Sequence, residues 1–268
     1  MIWLPQALAK QRNQGSTPGK EDHMRYRILG DDIQLVEVIL DPGESIRAET
    51  GAMAYMDGTI RMDTTTGGGI LKGLKRLLVG ESFFMTEFTN TSHGPAVVAF
   101  ASPFPGKIVA LNLSELGGEF LSQRTSFLAA TPDVDISIAF TRRLGAGLFG
   151  GEGFILQRLT GQGTVFVTAG GTLVSKTLEA GQELLVDTGC IVGFSASVDY
   201  NIRFVGGFKN VLFGGEGLFL ARLRGPGHVL LQSLPLSRLA DRILAAARHI
   251  QGETRRGSGF LETLLSGS

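Results

Sequence analysis

The chain has 268 residues, 43% hydrophobic and 19% charged, which excludes wholesale disorder and leaves room for one large core or two ordinary ones. Lys plus Arg equals Asp plus Glu at 25 each, so no global field draws in nucleic acid or steers an anionic substrate. Glycine, at 38 residues with no triplet period and only 9 prolines, excludes collagen and points to many tight turns; the single cysteine excludes an internal disulfide or a thiolate zinc site.

The first 24 residues carry Gly15, Ser16, Pro18 and Gly19 and nothing periodic to bury, and they read as a disordered leader (1–24). Neither this stretch nor any later one has the apolar run of roughly 18 residues that a spanning helix needs. With one cysteine and no signal-peptide pattern, the expected location is cytoplasmic, with membrane association left open.

From Arg25 onward the chain repeats itself. Val198 to Phe204 alternates apolar and polar without a break, as a half-buried strand does, and Val134 to Phe140, 64 positions earlier, keeps the apolar residues in register. A further 74 positions back, Ile60 to Asp63 begins the same alternation before it fades into threonines. These offsets superpose the turn glycines Gly43, Gly117 and Gly181, and they bring Gly80-Glu81, Gly151-Glu152 and Gly215-Glu216 to equivalent places after a three-residue insertion in the first copy. Three β units follow, about 25–94, 95–161 and 162–231, inside one β domain spanning 25–234.

Strands and glycine turns without helical spacers exclude a parallel βαβ sheet, so the fold class is all-β. Stacking three similar units about a pseudo-threefold axis would bury an apolar face of each. The strand His228 to Gln232 reads as the start of a fourth copy, placed to pair beside the first unit and close the structure. Leu236, Leu239, Ala240, Ile243, Leu244, Ala247 and Ile250 then follow helical spacing, predicting a C-terminal α-helix over 235–252 with Ser237 as its cap, ahead of a flexible tail at 253–268.

Little of this carries chemistry. Gly145, Gly147 and Gly150 match a dinucleotide-loop spacing, but they sit between strands, and the repeat explains them better. His23, His93, His228 and His249 have no ligand spacing, so neither a metal nor a cofactor is expected, and no catalytic set is assembled. Cys190 aligns with Ala52 and Ser126, a core-packing position. Glu81, Glu152 and Glu216 are the sharpest polar feature: each can clamp turn amides, or all three can converge into an ion or ligand site. The insertion is the other. Leu71, Leu74, Leu77 and Leu78 alternate with Lys72, Lys75 and Arg76, a short basic amphipathic stretch that either caps a sheet or meets a membrane or protein partner.

The run Gly69 to Phe84, the turn Phe149-Gly150-Gly151-Glu152-Gly153 and the segment Gly225 to Gln232 together resemble the bacterial branch of the altered-inheritance-of-mitochondria family. That resemblance implies a fold like the tryptophan RNA-binding attenuation protein (TRAP-like), a short double-stranded β-helix, and ring-like homo-oligomers, including trimers. For the mitochondrial relatives it implies a part in inner-membrane organisation and respiration, and it brings no catalytic residues. The expected function is a non-catalytic oligomeric scaffold peripheral to a membrane; the alternative is a small-ligand or RNA-binding module. A zero net charge with three Tyr and one Trp argues against RNA.

Overall fold

The structure is a computed structural model that describes residues 24–65, 85–142, 153–205, 218–244 and 246–247. The insertion residues Leu71, Lys72, Leu74, Lys75, Arg76, Leu77 and Leu78, the turn glutamates Glu81, Glu152 and Glu216, residues 1–23 of the leader and the tail lie outside the described residues, while Met24 packs against the first part of the core.

Among the described residues nineteen strands follow in chain order. They are β1 (Arg25–Leu29), β2 (Leu35–Leu40), β3 (Ser45–Glu49), β4 (Met53–Met56), β5 (Ile60–Thr65), β6 (Met85–Asn90) and β7 (Ala96–Ala101). Next come β8 (Gly106–Asn112), β9 (Glu119–Gln123), β10 (Phe127–Ala130), β11 (Val134–Arg142), β12 (Phe154–Gly161) and β13 (Thr164–Gly170). Then β14 (Leu173–Leu178), β15 (Glu183–Asp187), β16 (Ile191–Ser195), β17 (Asp199–Val205), β18 (Leu218–Arg224) and β19 (Gly227–Gln232).

All pairings are antiparallel, as the short connections require. Two six-stranded sheets have the orders β5-β6-β3-β10-β13-β8 and β11-β12-β9-β16-β19-β14, and adding six to each number of the first gives the second. A four-stranded sheet, β1-β2-β7-β4, and a three-stranded one, β15-β18-β17, complete the set. The turn glycines that the sequence aligned share one backbone state, with φ of 82° at Gly43, 82° at Gly117 and 80° at Gly181. Each sits in the left-handed region that glycine enters without steric cost, which is why each of these turns is built on glycine.

The core has three parts. Val36, Val38, Phe88 and Phe100 form the first and take in Leu128, Ala129 and Phe166 from further along the chain. Val109, Leu111, Phe120 and Val165 form the second with Val192 and Leu230, and Phe194, Ile202 and Leu223 form the third with Leu121, Phe154 and Leu156. Each part borrows side chains across a boundary between the sequence copies, so no copy buries its apolar face alone. Edge-to-face rings lock the seams: Tyr26 meets Phe166 at 5.2 Å between centroids, and Phe140 meets Tyr200 at 6.0 Å.

Two expectations are corrected here. The strand at His228 to Gln232 does not lie beside the first unit: β19 pairs with β14 and β16, in the place that β13 holds between β8 and β10. It completes the third set of strands, and the added strand is β1, at the other end of the chain. The helix starts at 236, where Leu239 N–H donates to Pro235 O at 3.2 Å. The helix boundary therefore lies at Pro235, while Ser237 is inside the first turn; proline suits that boundary because a helix start leaves N–H groups unpaired anyway. Among the described residues no helix is long and apolar enough to cross a membrane, and no ladder joins the four-stranded sheet to the three-stranded one.

Candidate ligand site

The chemistry the sequence singled out falls on three segments that each connect a pair of antiparallel strands. β5 and β6 end in register at Thr65 and Met85, β11 and β12 at Arg142 and Phe154, β17 and β18 at Val205 and Leu218. The turn glutamates belong to those connections, and the clamp and ion-site readings both stay open for them.

The described residues hold a different feature. A cavity of about 280 Å³ opens at the seam between the first two sequence copies, lined by Glu49, Thr50, Met85, Arg124, Phe127, Ile136 and Gln157. Glu49 closes β3 and sits opposite Met85 at the start of β6. Arg124 opens the 3-10 turn between β9 and β10, Phe127 begins β10, Ile136 is on β11, and Gln157 sits on β12 between Ile138 and Ser122. Glu49 and Thr50 are exposed and Arg124 is half-buried, whereas Met85, Phe127 and Gln157 are buried. The cavity thus has a charged rim and a floor of apolar groups with one amide.

That floor is electrostatically incomplete. Gln157 is 2% exposed, and its Oε1 has no hydrogen-bond partner. Gln123 and Ser126, which bracket Arg124, are also buried, and Gln123 Oε1 and Ser126 Oγ lack partners as well. A buried polar atom without a partner costs about 1–3 kcal/mol, so three on neighbouring strands and one turn are a cost the fold carries without local return. A ligand bearing hydrogen-bond donors is what Gln157 Oε1 could accept from, with Arg124 and Glu49 at the mouth to orient charged or polar groups.

The next seam, between the second and third copies, lacks this arrangement. The place of Gln157 is taken by Ala221, that of Arg124 by Thr188 and that of Ile136 by Tyr200, whose ring packs on Phe194 with centroids 5.3 Å apart. Sequence reasoning passed over the cavity, yet the signal was there. A glutamine stands in an apolar position of β12, aligned 64 residues before an alanine.

Cys190 packs on the third core part beside Arg238 and Asp187. Burial pushes its thiol above the usual range, the Asp187 carboxylate adds to this, and Arg238 opposes it. Arg238 and Asp187 form an ion pair at 2.6 Å, tying the start of the helix to the end of β15. A thiol held in its neutral form is a poor nucleophile, in keeping with a packing role. Tyr55 also holds its proton above the ordinary range, chiefly because its hydroxyl donates to Glu37 Oε1 at 2.5 Å.

Comparison with known proteins agrees with the architecture. The family model described as mitochondrial biogenesis AIM24 matches residues 26–234. An uncharacterised protein of Streptococcus pyogenes serotype M6 is 31% identical over 229 residues, covering 82% of this chain and 90% of that protein. A Streptococcus pyogenes protein solved by X-ray crystallography superposes with a TM-score of 0.68 at 29% identity, over 84% of this chain and all of that one.

Proposed function

This chain belongs to the mitochondrial biogenesis AIM24 family, and on that footing we propose that it is a non-catalytic β-scaffold that works as a homo-oligomer at the periphery of a membrane. The observation that carries this reading is the pair of incomplete sheets. Two six-stranded sheets bury their central strands, while the four- and three-stranded sheets stop halfway and leave strand edges open. Open edges invite pairing with another chain, and a scaffold is a molecule that uses such edges. The three cores support the same reading, because each is completed by residues from a neighbouring set of strands. Membrane contact rests on the basic amphipathic stretch of the insertion, with Lys72, Lys75 and Arg76 among Leu71, Leu74, Leu77 and Leu78. Light scattering tests the assembly: a mass of several chains supports the reading, and a monomer at micromolar concentration overturns it. Co-sedimentation with anionic vesicles tests the membrane part. Wild type should bind more than the Lys72→Glu/Lys75→Glu/Arg76→Glu variant and should release in salt, and no binding by either removes that part.

A second reading, that the scaffold also holds a small polar ligand, is favoured by the seam cavity and its unpaired Gln157 Oε1. Mass spectrometry of what co-purifies with the native protein tests it. A bound small molecule lost in Gln157→Leu supports the reading, and a species retained equally by both proteins removes it.

A further inference from the structure

The strand numbering shows which edges are open in every repeat of the sheet pattern and which are open in one sheet alone. In both six-stranded sheets the outer strands are of the same two kinds, β5 with β11 and β8 with β14, so those edges are open in every copy of the pattern. The centre of each sheet is a junction between a strand of one set and a strand of the next: β3 with β10, then β9 with β16. Adding six again calls for β15 to pair with a twenty-second strand, and the described residues hold nineteen. Subtracting six from the first junction leaves β4 with no described strand ahead of it to pair with. β15 and β4 are therefore the two halves of a third junction, and each is the open edge of its sheet.

We propose that β15 of one copy pairs antiparallel with β4 of a second copy, completing a six-stranded sheet β17-β18-β15-β4-β7-β2 that is continuous across two chains. This rests on the oligomeric reading above and adds to it the surface, the direction and the register. The two internal junctions agree on register: Ala129 faces Ala48 and Ala130 faces Arg47 in one, Gly193 faces Ser122 and Phe194 faces Leu121 in the other. Transferred to the open edges, Tyr55 of one copy faces Val186 of the next, and Met56 faces Leu185.

Three observations fit those edges to each other. β4 carries its register shift between Met53 and Tyr55, and β10 and β16 carry theirs at the equivalent places, between Phe127 and Ala129 and between Ile191 and Gly193, so all three present the same kinked edge. Burial differs just where a partner is missing. Leu121 is 3% exposed and Ala129 is fully buried, but their counterparts Leu185 and Tyr55 are 65% and 45% exposed. Finally, neither edge carries a proline, and the charges of β15 sit only at its two ends, Glu183 and Asp187, leaving Leu184, Leu185 and Val186 between them. The contact is heterologous, with different surfaces on the two partners, so it propagates head to tail and closes into a ring or continues as a filament.

The test blocks one edge at a time with a lysine. Leu185→Lys and Met56→Lys are both at exposed or half-buried positions, and each should fold, checked by an unchanged far-ultraviolet dichroism spectrum, yet run as a monomer by light scattering. Mixed in equal amounts they should form a dimer and stop there, doubling the mass, because one chain keeps a good β4 edge and the other a good β15 edge. A covalent readout runs beside this. In a Cys190→Ala background, Met56→Cys chains mixed with Leu185→Cys chains should oxidise to a mixed disulfide dimer, and the double-cysteine chain should link between molecules. A wild-type oligomer that neither lysine dissociates overturns this inference and leaves the scaffold reading standing. A wild-type monomer overturns both, and a disulfide formed within one double-cysteine chain shows that the edges close on themselves, which also overturns the inference.

Discussion

Replacing Gln157 by leucine removes a buried amide oxygen that has no partner and leaves a shorter, branched apolar side chain of similar volume. Its environment sets the magnitude. At 2% exposure an unpaired Oε1 costs the native state about 1–3 kcal/mol, which the substitution relieves at the expense of whatever the Nε2 amide contributes. Against this stands the altered branching, which costs less than about 1.5 kcal/mol when volume is conserved. The net expectation is a protein more stable by about 1 kcal/mol, seen as a higher urea midpoint with an unchanged slope and as a melting temperature raised by about 2–4 °C. A wild-type protein that gives up stability at a cavity floor is maintaining a group for something other than folding. The same variant should therefore lose whatever ligand the cavity holds. If Gln157→Leu instead destabilises by 1 kcal/mol or more, the amide is satisfied in solution, and the argument that the cavity is built for a ligand fails.

Other perturbations test other parts of the structure. Gly193→Ala should cost about 3 kcal/mol in urea unfolding, because a Cβ there would lie 2.4 Å from the Phe120 ring and 2.6 Å from Leu121 O and would pry β16 from β9; a neutral result would mean that this junction is loose. Glu152→Ala and Glu216→Ala should each destabilise by about 1–3 kcal/mol if the repeated Gly-Glu turns are amide clamps, whereas full stability with loss of a bound ion would make them a site. Cys190 should react with a thiol reagent at pH 8 roughly tenfold slower than a free cysteine. Its thiol pKa is raised in the folded state, so its contribution to stability is complete below the unfolded value of about 8.5 and is lost as pH climbs through the folded one. Cys190→Ala should flatten the alkaline fall in melting temperature, and an identical fall in both proteins would show that the thiol is not its source.

Much of the backbone plan is local and was therefore legible in the amino-acid order. Gly43, Gly117 and Gly181 sit at the three aligned turns because a left-handed residue is needed there, and that need is met or missed within four residues. The alternation of Val134 to Phe140 and of Val198 to Phe204 forecast β11 and β17 because side-chain period is a property of the strand itself. Which strand lies beside which is another matter. Nothing near His228 says that β19 belongs between β14 and β16 rather than next to β1, because paired strands in these sheets come from distant parts of the chain, as Arg47 and Ala130 do at 83 positions apart. The exposed edge at Leu185 and the buried one at Leu121 look alike in sequence, being apolar residues in the same alternation, and differ in that β16 pairs with β9 over Leu121 while β15 stands at the edge of its sheet among the described residues. The cavity follows the same rule. Gln157 stands out in the alignment as a polar residue in an apolar place, but its meeting with Glu49 and Arg124 comes from three separate connections converging at one seam. Local sterics and side-chain period wrote the strands and turns into the sequence, while pairing, burial and the open edges were decided by long-range packing, which no single stretch of the chain encodes.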